Sequence, residues 1–198
     1  YHLSKKHKPE QTKSKLHPRS KHRERYDFDK LIEVAPSLNP FVAKNKYGDL
    51  SVDFFNPKAI KSLNAALLKL HYNIEYWNIP EQYLCPPIPG RVDYIHHLAD
   101  LLKNLKFKDP IRVLDLGTGA TCIYPLLGYS EYNWHFVGTD VDVEALKNDI
   151  QTLQSEITTK ENEVNNLYNT YIAEAEGRKG TKRVGKGPVY KEKRKNMT

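Results

Sequence analysis

No apolar run in these 198 residues approaches the length a membrane-spanning helix needs. The first residues are polar and basic, without the apolar centre of a secretory signal. Cysteine is scarce: Cys85 and Cys122 stand 37 positions apart, a spacing that matches no zinc or redox motif. Two such thiols suit a reducing, cytoplasmic compartment, and a structural disulfide is not expected. Four histidines (His2, His7, His17 and His22) lie near the start, but no cysteine or carboxylate cluster accompanies them. They are expected to be solvated, and no metal site is expected. The chain opens on Tyr1 rather than Met, as a fragment would.

Charge is abundant and unevenly placed. Residues 1–30 carry ten Lys/Arg against four Asp/Glu, residues 177–198 carry nine against one, and the body between them is net acidic. Basic ends on an acidic body point to a polyanionic partner, because each cation placed on a phosphate releases a condensed counterion. Tails that only keep a protein soluble would look the same.

Residues 1–25 hold almost no apolar side chains and read as a disordered basic arm. Residues 26–108 read as a helical extension. Asn56 can cap a helix, with Pro57 in its first turn, and Ile60, Leu63, Leu67 and Leu70 form one apolar stripe. IPEQYLCPPIPGRV (79–92) reads as a rigid extended link. A second helix is expected from Asp93 to Leu105, with Tyr94, Ile95, Leu98, Leu101 and Leu102 inward. His96 and His97 are adjacent and so point to different faces.

Residues 109–142 then alternate as α/β chains do. IRVLDLG reads as a buried strand, ATCIYPLLGY as a helix with Pro125 in its first turn, and NWHFVGTDVD as a second, parallel strand. From Val143 the period changes. Leu146, Ile150, Leu153, Ile157, Val164, Leu167 and Tyr171 keep a heptad, with Lys160 as its polar member. Residues 143–176 read as one long helix, free to self-associate through 143–175 or to pack alone. Residues 177–198 read as a disordered basic tail.

The turn after the first strand carries the chemistry. Asp115, Gly117 and Gly119 bring bare backbone close to a ligand, since glycine allows positive φ and has no Cβ to block approach. Unpaired N–H groups of the next helix face the same place. Asp140, ending the second strand, is placed to accept hydrogen bonds from both hydroxyls of a ribose. GTGATC lacks the third glycine of the dinucleotide fingerprint, so a nucleoside without phosphate fits better. A strand, Asp-x-Gly-x-Gly and an acidic residue on the next strand is the arrangement of S-adenosylmethionine-dependent methyltransferases.

LHPRSKHRERYDF (16–28), SVDFFNPKAIKSLNAALL (51–68), YLCPPIPGRVDYIHHLADLL (83–102) and VLDLGTGATCIYPLLG (113–128) closely resemble the bacterial 23S ribosomal RNA adenine-N6 methyltransferases of the RlmF type. The resemblance runs from about Leu16 to Asp142. It implies an α/β fold: an incomplete Rossmann-like, S-adenosylmethionine-dependent methyltransferase domain with an N-terminal helical and basic extension and a long C-terminal helix. It implies large-subunit ribosomal RNA as partner, reached by a basic arm through Lys15, Arg19, Lys21, Arg23 and Arg25. It also implies cofactor contacts at Arg91, Asp115, Gly117, Gly119, Thr121 and Asp140. Arg91 would hold the cofactor carboxylate, though it could instead pair with a surface acid. Thr121 would bond near the amino-acid end, though it could instead cap the next helix.

Family members carry an Asn-Pro-Pro-Phe motif, which accepts the target N6 amine and stacks on the flipped base. These 198 residues hold none, and neither Asn39-Pro40 nor Asn56-Pro57 stands in its place. No catalytic residue is therefore assigned. A truncated or fused copy is expected, joined near 142–146 and inactive alone, with part of its sheet uncovered. The competing readings are an RNA-binding module without catalysis and a coiled-coil interaction protein.

Overall fold

The computed structural model describes residues 15–105 and 110–179, and side chains only to residue 173. The expected tail 177–198 and residues 1–14 of the arm lie almost wholly outside this range.

Asp27 starts α1 (Phe28–Val34) by accepting the Lys30 N–H, and a 3-10 turn follows over Pro36–Phe41. Strands β1 (Val42–Lys44) and β2 (Leu50–Val52) form an antiparallel hairpin pairing Val42 with Val52 and Lys44 with Leu50. Helix α2 (Pro57–Tyr72) begins where expected, with the Asn56 side chain accepting the Lys58 and Ala59 N–H groups. It closes on Asn73 in the left-handed region.

Helix α2 is buried on more than the expected stripe. Ala59, Leu63, Ala66 and Leu67 join Phe28, Leu31, Leu38 and Val52 in one apolar cluster. Leu68 and Tyr72 join a second cluster with Ile88, Val92, Ile95, Ile123, Leu127 and Trp134. The first cluster holds the N-terminal elements together, and the second seats α2 and α3 against the α/β part.

Helix α3 (Ile88–Asn104) corrects the extended link. It starts inside the Pro-rich stretch, because Pro89 needs no hydrogen-bond partner in a first turn. Arg91 is therefore helical. Ile95 and His96 are buried, whereas Tyr94 and Leu101, expected inward, are exposed, as is His97. The hairpin corrects the purely helical extension, since three-residue strands leave no alternation to read.

Strands β3 (Arg112–Leu116) and β4 (His135–Thr139) pair in parallel, Arg112 with His135 through Leu116 with Thr139. Between them lies α4 (Ile123–Tyr132), with Pro125 in its first turn. Val113 and Phe136 pack toward the helices. Leu114, Leu116 and Val137, on the alternate positions, are exposed; one face of this pair is uncovered, as expected of an incomplete sheet.

Asp142 caps α5 (Val143–Lys179) by accepting the Glu144 and Ala145 N–H groups. The chain divides into two compact units, residues 1–157 and 158–198. Within the first, Ala145, Asp149 and Thr152 are buried.

The disordered arm is corrected over residues 15–25, which strap the helices. His17, Ser20 and His22 are buried, so the solvated reading of those two histidines fails. His22 Nε2 lies 2.7 Å from the Tyr72 hydroxyl, and His17 Nε2 lies 2.9 Å from the Asp100 carboxylate. The low apolar content was misleading because imidazoles with hydrogen-bond partners can be buried at little cost.

Candidate functional site

Asp115 is the penultimate residue of β3, which ends at Leu116, and the chain then turns through Gly117 (φ +79°) and Gly119 (φ +71°). Nothing lies within 4 Å of where a Cβ would stand on either, so the backbone is open to approach. The Gly117 and Thr118 N–H groups donate to the Thr139 carbonyl at 2.7 and 3.0 Å, which ties the turn to the end of β4. The Ala120 carbonyl accepts from Asn148 Nδ2 at 2.8 Å, and the same amide donates to the Asn78 carbonyl at 3.1 Å. Trp77 Nε1 donates to the Thr121 carbonyl at 2.9 Å.

Asp140 sits across the turn. One carboxylate oxygen accepts the Gly119 N–H at 2.8 Å and the other the Asp142 N–H at 2.9 Å. These bonds, Asp142 first, hold its carboxyl below the usual range. A carboxylate offers about four acceptor positions, so two remain after the two backbone bonds. The structure thus brings Asp115, Gly117, Gly119 and Asp140 together at the strand ends.

Asp115 keeps its Oδ2 buried with no partner among the described residues, and burial raises its carboxyl. Arg91 reaches α4: its Nη1 donates to the Tyr124 hydroxyl at 2.8 Å and its guanidinium lies 5.5 Å from that ring centre. Its Nε is buried without an acceptor among the described residues. Thr121 does not cap α4; the cap position is Cys122, in the left-handed region with no side-chain cap bond. Burial pushes the Cys122 thiol up to about 12, and both cysteines are free.

Three features escaped the sequence reading. The Tyr83 hydroxyl donates to Asp142 Oδ2 at 2.7 Å and is itself pushed up to about 12 by that bond. Tyr124 partners Arg91. Asp149 is 5% exposed, and neither oxygen has a partner among the described residues. Burial, then the nearby Asp140 and Asp115 charges, push its carboxyl up to about 7. Asp142 was findable as an acid just before a helical period; the contacts of Tyr83, Tyr124 and Asp149 were not, because they are long-range.

The expected RNA-binding cations are largely engaged within the protein. Arg19 donates to the His96 carbonyl, the Asp100 carboxylate and the Tyr132 hydroxyl at 2.9, 2.7 and 3.0 Å. Lys21 donates to the His71 carbonyl and Glu131 at 2.7 and 2.6 Å. Arg25 pairs with Asp49 at 2.9 Å, Arg23 is half-buried, and Lys15 is exposed.

Residues 10–178 match the model of a family described as RNA methyltransferase, past the Asp142 where the likeness was expected to stop. The ribosomal RNA large subunit methyltransferase F of Methylobacillus flagellatus is 57% identical over 141 residues, covering 69% of this chain and 42% of the relative. The chain thus spans about two fifths of that relative's length. The N-terminal domain of human METTL16, solved with SAH, superposes with TM-score 0.66 at 30% identity, covering 73% of this chain and 56% of the other. The human catalytic domain with a MAT2A 3′UTR hairpin gives 0.63 at 32% identity, covering 71% and 49%.

Proposed function

This chain belongs to the RNA methyltransferase family, and from that premise we infer that residues 110–142 bind S-adenosylmethionine in a protein that methylates adenine N6 of large-subunit ribosomal RNA. The observation that carries the reading is the open glycine turn held 2.8 Å from the Asp140 carboxylate. A nucleoside can lie on bare backbone there, with its ribose hydroxyls on the acceptor positions Asp140 has left.

The unpartnered polar atoms fit the rest of the cofactor. Arg91 Nε is a buried donor without an acceptor among the described residues and suits the amino-acid carboxylate. Asp115 Oδ2 is a buried acceptor without a donor among the described residues and suits an ammonium. Groups left unpaired in this way are costly unless a ligand satisfies them. When bound, the cofactor supplies an electrophilic methyl on a sulfonium; the residues named here hold and orient it.

Calorimetry with S-adenosylmethionine tests this. Asp140→Ala removes bonds worth about 2–3 kcal/mol together, so affinity should fall roughly 30- to 150-fold. Unchanged binding refutes the assignment. Because Asn-Pro-Pro-Phe is absent from the 198 residues, the chain as it stands should bind the cofactor without transferring a labelled methyl to ribosomal RNA. Measurable transfer overturns that part. Lys15 and Arg23 remain the arm's candidates for phosphate contact.

A second reading, self-association through 143–175, is favoured by exposure of the heptad residues Ile150, Ile157, Val164 and Leu167. It is compatible with the first.

A further inference from the structure

Strand β2 runs directly into a tight turn, Asp53-Phe54-Phe55-Asn56, ahead of α2. The Asp53 carboxylate accepts the Phe55 N–H at 2.8 Å, and the Asp53 carbonyl accepts the Asn56 N–H at 3.1 Å. This built turn holds two phenyl rings outward: Phe54 is 60% exposed and Phe55 96%. Two adjacent phenylalanines kept in water forgo the stabilisation that burial would give, and such a patch marks a contact surface.

Lysines flank the patch in sequence. Lys58 follows three residues on and is largely exposed. Lys46 lies over the Tyr47 ring, 5.1 Å from its centre, at the hairpin turn. The acids close by are engaged: Asp49 with Arg25 at 2.9 Å, Asp53 within its own turn, and Glu81 with Lys58 itself at 3.9 Å. Exposed aromatic faces among cations are what a single-stranded nucleic acid uses, bases on the rings and phosphates on the ammonium groups.

The patch also opens toward the site. A groove of about 930 Å³ is lined by Asn56, Lys58, Glu81, Tyr83 and Leu84. Leu84 is 84% exposed. At the far end the Tyr83 hydroxyl bonds Asp142, whose N–H bonds Asp140. The groove therefore runs from Asn56, the residue after the phenyl pair, to Tyr83, two hydrogen bonds from Asp140.

We propose that the Phe54–Phe55 turn is a stacking platform for a single-stranded stretch of the RNA substrate, which the groove leads toward the cofactor turn. The proposal rests on the RNA methyltransferase reading and deepens it: the strand is held by the hairpin and the start of α2, whereas most of the basic arm is consumed in strapping the helices.

Fluorescence anisotropy tests it, with the full chain and a labelled single-stranded oligoribonucleotide of roughly twelve nucleotides, within the site sizes usual for such binders. Phe54→Leu/Phe55→Leu keeps the apolar surface but removes stacking, and should weaken binding about tenfold. Lys58→Gln should lower the salt-dependence slope by about one. Affinity of Phe54→Leu/Phe55→Leu for a duplex RNA of the same length should barely differ from the parent's, because the rings cannot reach stacked bases. S-adenosylmethionine calorimetry and the thermal midpoint should be unchanged by Phe54→Leu/Phe55→Leu. Parental affinity in that variant, or no binding of the oligoribonucleotide by the parent, overturns the platform. Failure to bind S-adenosylmethionine, with RNA binding still dependent on the two rings, would instead sink the cofactor reading and leave the platform standing.

Discussion

Asp149 lies on the helix side of the glycine turn, near Asp140 and Asp115. It is buried, its oxygens have no partner among the described residues, and its carboxyl is pushed up to about 7. The folded state therefore holds a proton that the unfolded chain gives up near the ordinary aspartate value. Between about pH 4 and 7 stability should fall as pH rises, because the native state binds more protons there. Asp149→Asn removes the charge at constant shape. Its thermal midpoint should exceed the parent's at about pH 8, by a difference of ~2–4 kcal/mol in stability, and the gap should close near pH 4. Equal midpoints at the higher pH would show that the carboxylate finds partners. At this scale the sequence was legible where chemistry is local. Asp115, Gly117, Gly119 and Asp140 could be read as a site because strand order and glycine turns bring them together. The partners of Arg91 and the orphaned state of Asp149 could not, since they depend on helices that are distant in sequence.

Among the elements, α4 against β4 is the tightest contact the glycines record. A Cβ on Gly128 would stand 2.5 Å from Phe136 Cζ and 3.3 Å from Trp134 Cε3. A partly buried phenyl ring packed against the core yields less readily than a flexible chain end would. Gly128→Ala should therefore cost about 1–3 kcal/mol in thermal or urea denaturation; a neutral result would mean that the helix can shift away from the strand. Helix α2 was readable from Asn56, Pro57 and its leucines because capping and periodicity are sequence-local. The start of α3 was hidden by prolines that a first turn accommodates. The strap over 15–25 was hidden by its composition: its histidines and Arg19 are held by polar partners on α2, α3 and α4.

For the molecule as a whole, the open questions are coverage and assembly. The face bearing Leu114, Leu116 and Val137 is exposed, and the relatives extend well beyond the portion matched. The seam of α5 places Ile150, Ile157 and Val164 at one heptad position and Leu146, Leu153 and Leu167 at the other, the pattern favoured by two-stranded coiled coils. Sedimentation equilibrium should show dimers, and Ile157→Asp/Val164→Asp should return the chain to a monomer. A parent that sediments as a monomer over the micromolar range would refute self-association.

The run from Arg112 to Asp142 carried its own instructions: an apolar strand, glycines with positive φ, a helix and a second strand ending in acid. These follow from backbone conformation and short-range hydrogen bonding, which neighbouring residues control. Which cations are available, which carboxylate is stranded, and where two phenyl rings are left in water were decided only when distant segments packed. Those properties belong to desolvation and long-range pairing, and no window of sequence contains both partners.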